Sequence, residues 1–210
     1  MNRSTDFGPK DIRVDLLLIA DMIGEDSSVL DVGCGDGVLL NYLVHQKNVD
    51  GRGIEISPEG VNKSIAKGLS VIQGDAERDI AYYPDNSFDV VILSHTLQAM
   101  SRPDLMLDQL LRVGRKAIVS FPNFGHWRVR GGLLLNGTMP VTKNLDHPWY
   151  STPNIHFCTI RDFVNLCREK NITIEKQMAI DSSGHRMPFE TLWFSNILAT
   201  QGLFVISRSD

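Results

Sequence analysis

The sequence predicts an α/β fold: a doubly wound, mostly parallel seven-stranded sheet with an antiparallel edge hairpin. Short apolar runs alternate with helical patterns through most of the chain. Strands that are apolar throughout are typical of a parallel sheet with helices on both faces. The chain has 210 residues, of which 42% are hydrophobic, and this is enough for one core of ordinary size. We therefore expect a single domain over residues 1–210.

The first half of the chain contains four predicted strands. A helix over "DLLLIADMI" precedes the first strand, "SSVLDVG", and a helix from Val38 to His45 follows that strand. The second strand, "GRGIEIS", leads into the helix "SPEGVNKSIAKG". Ser57 is the predicted N-cap of this helix, Pro58 lies in its first turn and Gly68 lies beyond its end. The runs "LSVIQGD" and "FDVVILSH" are the third and fourth strands.

The second half of the chain completes the sheet. "SRPDLMLDQLLRVG" is a predicted helix in which Ser101 and Asp104 have capping-box spacing and Gly114 ends the helix. "KAIVSFP" is the fifth strand. Another helix begins near Thr159, again with Asp162 at capping-box spacing. The late strands "ITIEKQMAI" and "GLFVISR" leave no room for a clear crossover helix, so we predict an antiparallel hairpin at the sheet edge.

Residues 123–157 interrupt the alternation of strands and helices. A connection of this length is uncommon in a compact domain, and such segments are usually lids, binding loops or contact surfaces. We call residues 123–157 the insertion.

Charge and cysteine content restrict the function classes. The formal net charge of −4 argues against nucleic acid as the main partner, because phosphate binding favours a basic face. Three cysteines without paired metal-ligand spacing suit a reduced, intracellular chain. The first ten residues lack the apolar core of a signal peptide, and the apolar stretch Val14–Ile23 is too short and too interrupted to span a bilayer. We expect a cytoplasmic protein that binds neither membrane nor nucleic acid.

The stretch "VLDVGCGDGVLL" carries the strongest functional signal. A strand that ends in glycines and runs into a helix leaves backbone N–H groups open to a ligand. The phosphate-binding loop of nucleotide hydrolases requires Gly-Lys-Ser/Thr, which is absent here. The dinucleotide fingerprint requires a third glycine at the position that Val38 occupies, so the sequence does not match this fingerprint. A strand-to-helix turn without any ligand is the alternative, although a single glycine would suffice for that turn.

The arrangement Asp31-x-Gly33-x-Gly35-x-Gly37 resembles the first motif of class I S-adenosylmethionine-dependent methyltransferases. Glu55, at the end of the second strand, is placed to accept the ribose hydroxyls, although an acidic residue there is also a common surface choice. By the same resemblance, Asp75 would accept from the adenine amino group, and Ile54, Ile56 and Ala76 would form apolar walls. The predicted cofactor site, for S-adenosylmethionine or S-adenosylhomocysteine, comprises Asp31, Gly33, Cys34, Gly35, Gly37, Glu55, Ile56, Asp75, Ala76 and Ser94.

A more specific resemblance extends from about Ser27 to about Ile180. The segments "LDVGCGDG", "GIEIS", "GDAE", "FDVVILSHTLQAM", "SFPNFGHW", "MPVT" and "WYSTPNIHFCTIRDF" together resemble the MetW family of methionine biosynthesis proteins. This resemblance implies a methyltransferase fold, its cofactor motifs and a partner, a homoserine O-acyltransferase. It does not imply a settled methylation reaction. His95 stands where the family would carry a glutamine, so no catalytic role carries over to that position.

Residue chemistry leaves the catalytic residue unknown. His95 could act as a base, since its unperturbed pKa is near neutral, or it could be a packing residue. The segment Ser94–Leu97 replaces the Asn/Asp-Pro-Pro-aromatic motif of enzymes that methylate amino groups in DNA and protein. No metal site is expected, because His147 and His156 are isolated from other ligands.

The insertion is rich in aromatic residues and histidine, which fits a substrate lid, a protein interface or a segment that packs on the sheet. We favour the interface because Arg128 and Arg130 follow Trp127 closely. The residues expected at the contact are Trp127, Arg128, Arg130, Trp149 and Tyr150. Two functions remain open: an accessory subunit that supports a homoserine O-acyltransferase, and an active methyltransferase on a small metabolite.

Overall fold

The computed structural model describes residues 12–142, 145, 147–188 and 191–209. The first ten residues, on which the signal-peptide argument depends, lie outside the described residues. No helix within the described residues is long and apolar enough to cross a membrane.

Seven strands form one sheet, in the order β3-β2-β1-β4-β5-β7-β6. The strands are β1 (Ser28–Val32), β2 (Asp50–Glu55), β3 (Ser70–Gln73), β4 (Phe88–Ser94), β5 (Gly114–Pro122), β6 (Ile172–Ile180) and β7 (Gln201–Arg208). The first five strands pair in parallel, whereas β7 runs antiparallel to both β5 and β6. The predicted fold class is confirmed, including the antiparallel pair at the edge. The order of that pair is a new finding, because β7 lies inside the sheet and β6 lies at the edge.

Eight α-helices connect or flank the strands within the described residues. They are α1 (Val14–Ala20), α2 (Val38–Lys47), α3 (Pro58–Ala66), α4 (Ala76–Asp79), α5 (Pro103–Val113), α6 (Trp127–Asn136), α7 (Ile160–Glu169) and α8 (Leu192–Leu198). Two apolar clusters hold helices against the sheet. Leu107 of α5 and Phe163 of α7 belong to one cluster, and Ile19 of α1 and Leu43 of α2 belong to the other. Helices therefore cover both faces, which is the doubly wound arrangement.

Two of the three predicted helix caps are confirmed. The Ser57 hydroxyl accepts from the Gly60 N–H at 3.4 Å. Thr159 and Asp162 form a complete capping box at the start of α7. Each cap provides partners for N–H groups that the first turn of a helix leaves unpaired.

The capping box predicted for Ser101 and Asp104 is wrong. Helix α5 begins at Pro103, and its N-cap residue, Arg102, makes no capping hydrogen bond with its side chain. The backbone N–H groups of Ser101 and Arg102 donate instead to the Glu77 carboxylate, at 3.0 and 2.9 Å. Asp104 pairs with the Arg102 guanidinium. A carboxylate from another helix thus takes the place of the local cap.

Three α-helices were not predicted from the sequence, and one of them is the single-turn helix α4. Helix α6 lies within the insertion, where two central glycines and the absence of an apolar period conceal it. Helix α8 lies between β6 and β7, where the short span predicts no crossover helix. Its seven residues fit because it is only two turns long.

Candidate functional site

The glycine segment forms a tight corner between β1 and α2. Gly33, Gly35 and Gly37 all have positive φ, at 75°, 58° and 73°, in a region of φ/ψ space that other residues adopt at a cost. The N–H groups of Gly33 and Cys34 donate to the carbonyl oxygen of Ile54, at 2.8 and 3.3 Å. These bonds fix the corner to the end of β2.

The three glycines have different roles. A Cβ at Gly33 would lie 2.7 Å from Thr96 Oγ1, and a Cβ at Gly37 would lie 2.6 Å from Ser64 Oγ. A Cβ at Gly35 would meet no atom within 4 Å. Gly33 and Gly37 are therefore required by packing inside the protein. Only Gly35 faces open space, and it marks the place where a ligand can approach the backbone.

Glu55 connects the corner to the start of α3. Its Oε2 accepts from the Gly35 N–H at 2.8 Å, and its Oε1 accepts from the Ser57 N–H at 2.7 Å. A carboxylate has about four acceptor sites, so each oxygen retains capacity for a hydroxyl donor. The side chain is thus held in one orientation while it can still accept from a ribose.

Asp31 and Cys34 lie in the same low-dielectric corner. Burial raises the pKa of Asp31 to about 7, and the nearby negative charge of Glu55 adds to this shift. Burial also raises the pKa of the Cys34 thiol to about 12, with Asp31 and Glu55 contributing. The thiol is therefore neutral at physiological pH and is a packing group. A cationic ligand beside Asp31 would favour its ionised form.

The predicted adenine side of the site is only partly as expected. Asp75 is the N-cap of α4, where its Oδ1 accepts from the Glu77 N–H at 3.0 Å. Ile56 is largely exposed, but Ile54 is fully buried in the core and so cannot form a wall for a ligand. Ala76 packs against the same core. A cavity of about 330 Å³ borders Asp75 on the side of α5.

The end of β4 places Ser94 and His95 beside the corner. Ser94 Oγ lies 3.0 Å from Ser120 Oγ. His95 has a positive φ of 54°, which is uncommon for a residue with a side chain. His95 Nε2 lies 3.1 Å from Gln201 Oε1 and 3.6 Å from Asp15 Oδ2.

Asp15 is the buried partner in this group. Burial alone would raise the pKa of its carboxyl, but hydrogen bonds from His95 and Arg13 outweigh burial and hold the pKa well below its usual range. Asp15 is therefore an anion at physiological pH. Its Oδ2 faces the same imidazole nitrogen that lies within hydrogen-bond distance of Gln201 Oε1.

The loop after His95 joins the corner to the insertion. The hydroxyl of Thr96 packs against Gly33, as the glycine geometry shows. Two residues later, the carbonyl oxygen of Gln98 accepts from the N–H groups of Ile155 and His156, at 2.8 and 3.0 Å. The C-terminal end of the insertion is thus fixed three residues from the site of His95.

Helix α6 and the segment around Trp149 expose apolar surface, whereas Phe124 and Leu145 of the insertion are buried. Helix α6 has no buried residue, and both Leu134 and Leu135 are 83% exposed. Trp127 is 52% exposed, with the Arg128 guanidinium 5.3 Å from its ring centre. Trp149 and Tyr150 are exposed and contact each other edge to face. Arg130 differs from this expected group, because its Nε donates to the Gly125 carbonyl at 2.6 Å and so supports the local fold.

Sequence reasoning missed four residues around the site. No local signal identifies them, because their contacts join positions that are far apart in the chain. Asp15 and Gln201 meet His95 across 80 and 106 residues, and Glu77 holds the loop at Ser101 across 24. Thr96 lies in the segment Ser94–Leu97, which matches no known motif. Among the described residues, no three histidine, cysteine or acidic side chains are grouped to hold a metal ion.

Comparisons with known proteins agree with this geometry. A family model described as "Methionine biosynthesis protein MetW" matches residues 13–206. The bifunctional methionine biosynthesis protein MetXA/MetW of Rhodopirellula baltica is 35% identical over 184 residues, which are 82% of this chain but only 30% of that protein.

Solved structures show the same fold at low sequence identity. An S-adenosylmethionine-dependent methyltransferase from Mesorhizobium loti superimposes with a TM-score of 0.67 at 15% identity, covering 94% of this chain and 99% of its own. The plantazolicin methyltransferase BpumL, in complex with S-adenosylhomocysteine, gives a TM-score of 0.63 at 17% identity, covering 93% and 82%.

The sheet order and the glycine corner define a protein with the class I methyltransferase fold. Within that class, the family match covers nearly the whole described chain. The chain belongs to the MetW family of methionine biosynthesis proteins.

Proposed function

We propose that this protein is an accessory subunit that binds S-adenosylmethionine or S-adenosylhomocysteine and associates with a homoserine O-acyltransferase in methionine biosynthesis. The observation that carries this proposal is the relative from Rhodopirellula baltica, whose name joins MetXA and MetW in one bifunctional chain. A fused chain holds its two parts at high effective concentration. A separate MetW chain needs a contact surface to reach the same association.

The insertion supplies a suitable contact surface. Its exposed tryptophans, tyrosine and arginine are the residue types that dominate binding energy at protein interfaces. No described residue forms an ion pair with Arg128, so its charge remains for a partner carboxylate. Helix α6, with its exposed leucines, forms the apolar part of the surface.

The corner supplies the cofactor site. Gly35 leaves the backbone open to the amino acid end of the ligand, Glu55 is oriented for the ribose hydroxyls and Asp75 lies at the adenine end. Asp31 provides a negative charge for the ligand's amino group. S-adenosylmethionine is made from methionine, so occupancy of this site would report the level of a product of the pathway.

We place the protein in the cytoplasm. Its three cysteines are free, as expected in a reducing compartment.

A second candidate function is methyl transfer to a small metabolite. It is favoured by His95, which directly follows β4, where an acceptor would lie. The ring nitrogen of His95 faces Gln201 and the buried Asp15. In this role the imidazole would accept a proton from the attacking group, provided that the acceptor must lose one.

One experiment separates the two functions. The protein is immobilised and exposed to native lysate of its source organism, with and without added S-adenosylhomocysteine, and bound proteins are identified by mass spectrometry. The accessory function predicts recovery of a homoserine O-acyltransferase. If no acyltransferase is recovered, and labelled S-adenosylmethionine yields a His95-dependent labelled metabolite in the extract, the protein is an active methyltransferase and the accessory proposal is wrong.

A further inference from the structure

A separate cavity lies at the edge of the sheet where β5 and β6 end and β7 begins. It has a volume of about 50 Å³, and Pro122, Ser182 and Thr200 border it near the ends of these strands. The first turn of α6 also lines it, together with Thr142 and Leu145 of the insertion. None of the lining residues belongs to the predicted cofactor site, so this cavity needs a separate explanation.

The imidazole of His126 provides an unpaired donor in the cavity wall. His126 is the N-cap residue of α6 and is 8% exposed. Its Nδ1 accepts from the Arg128 N–H at 3.3 Å, so the proton of the neutral ring lies on Nε2. Burial and then the charge of Arg128 lower the pKa of His126, so the ring is neutral at physiological pH.

The Nε2 N–H of His126 is free to bind a ligand. It makes no hydrogen bond with any described residue. In the part of the chain that the structure describes, Gln98 Oε1 is the one inaccessible side-chain polar atom without a partner. The His126 Nε2 must therefore retain accessible surface, and a ligand that enters the cavity can reach it.

The charge around the cavity is positive. Arg128 lies in the first turn of α6, and its guanidinium forms no ion pair with a described residue. Its charge contributes to the lowered pKa of His126, so the guanidinium lies near the imidazole. The N-terminus of α6 adds a partial positive charge. Within residues 12–142, 145, 147–188 and 191–209, no aspartate or glutamate lines the cavity, so an anion is favoured over a cation.

Two hydroxyl groups supply further donors. The side chains of Thr142 and Ser182 line the cavity and make no hydrogen bond with the described residues, so both hydroxyls can turn toward a ligand. Thr200 Oγ1 donates to the Ile180 carbonyl at 3.1 Å, so it can only accept. A carboxylate has about four acceptor sites, and the imidazole, the guanidinium and the two hydroxyls are suitable donors for them.

The volume and the apolar walls restrict the kind of anion. A water molecule needs about 10–15 Å³ of such space, so about 50 Å³ accommodates about three to five non-hydrogen atoms. This is the size of a carboxylate on a short stem. Pro122, Val129 and Leu145 provide apolar contacts for the stem. A phosphate would instead direct polar oxygens toward these apolar walls.

We propose that this cavity binds a small aliphatic carboxylate, whose oxygens accept from His126 Nε2 and the Arg128 guanidinium while its stem contacts Val129 and Leu145. No residue of the cofactor corner takes part, so the site does not depend on the proposed cofactor. Arg128 also belongs to the expected contact surface, and a bound carboxylate would compete with a partner for its charge. The test therefore uses the full chain alone.

Propionate and propionamide test this proposal, because they have nearly the same shape and differ in charge. The full chain, with valine and leucine methyl groups labelled with ¹³C, is titrated with each compound at constant ionic strength, and the Val129 and Leu145 signals are followed by NMR. We expect propionate to shift both signals with a millimolar dissociation constant. Propionamide should bind about tenfold more weakly, because only the anion makes charge-assisted hydrogen bonds with Arg128.

Three variants complete the design. Arg128→Gln should weaken propionate binding about tenfold, the effect of losing a hydrogen bond between charged groups, and should leave propionamide binding unchanged. Arg168 is exposed on α7 and does not line the cavity, so Arg168→Gln is the matched control and should change neither affinity. His126→Asn should weaken propionate binding several-fold, because asparagine can cap the helix but does not extend as far as the imidazole Nε2.

Each measurement can contradict the proposal. It is overturned if propionate leaves both methyl signals unshifted at high millimolar concentration, or if propionamide binds equally well. It is also overturned if Arg128→Gln weakens propionate binding no more than Arg168→Gln does, or if His126→Asn binds propionate as tightly as the unaltered chain. Because the titrations contain neither S-adenosylhomocysteine nor an acyltransferase, their failure is distinguishable from failure of the proposed function.

Discussion

The glycine corner and helix α6 of the insertion differ in how completely their groups are buried or hydrogen-bonded within the protein. In the corner, Glu55 accepts two backbone N–H groups, and two of the three glycines are packed against side chains. In the insertion, α6 buries none of its residues. The corner is complete without another protein, but α6 gains burial only when something covers it. In the proposed function, the ligand site is therefore built into the sheet and the partner surface projects from it.

The largest expected effect concerns the open glycine of the corner. Gly35→Val should weaken S-adenosylhomocysteine binding more than a hundredfold, because its side chain would occupy the space where the ligand meets the backbone. Isothermal titration calorimetry measures this affinity. Gly68 is the matched control: it also has positive φ, at 79°, and also faces open space, but it lies at the end of α3.

The Gly68→Val control separates the effect of backbone strain from the effect on ligand binding. Both substitutions impose backbone strain of about 1–2 kcal/mol, so both should lower the melting temperature by a similar amount. Only Gly35→Val should abolish ligand binding. Equal affinity in the two variants would show that the corner is a turn without a ligand.

The next effect concerns the insertion. Trp127→Ala should weaken acyltransferase binding about thirtyfold, which corresponds to about 2 kcal/mol for an interface anchor. S-adenosylhomocysteine affinity should stay unchanged, because the corner is built by other elements. Surface plasmon resonance with the purified acyltransferase measures the first quantity and calorimetry the second.

Tyr82 provides the control for this substitution. It is 85% exposed and lies on the short helix Ile80–Tyr82, outside the insertion. Tyr82→Ala should leave partner binding unchanged. If the two aromatic residues cause the same loss, the contact is not located in the insertion.

The smallest effect is a pH dependence of the corner. In the free protein the pKa of Asp31 is raised to about 7, so this carboxyl is protonated at lower pH. An ammonium group beside it would favour the ionised form. S-adenosylmethionine binding must then release this proton at lower pH, so its affinity should rise about tenfold between pH 5 and pH 7. Calorimetry at both pH values measures the change. Asp31→Asn should bind with nearly constant affinity over this range, and an unaltered pH dependence in that variant would contradict the assignment.

Local patterns predicted much of the fold and the corner. The apolar runs, the glycines and the caps at Ser57 and Thr159 are encoded within a few residues, so the sequence alone was sufficient. Contacts between residues that are distant in the sequence are not encoded in this way. The carboxylate of Glu77 displaced the cap expected at Ser101, and only the folded chain brings Asp15 to His95. Sequence reasoning also assigned all three glycines to the ligand, whereas packing accounts for two of them.

The position of β7 has a consequence for synthesis. β7 pairs with β5 from Lys116↔Ser207 to Pro122↔Gln201, although about 80 to 90 residues separate the two strands in the chain. While the protein is being made, one side of β5 has no partner until residues 201–208 have left the ribosome. An unpaired strand edge invites pairing with other chains. A nascent chain that stalls before residue 201 therefore exposes to aggregation a strand that lies inside the sheet of the finished protein.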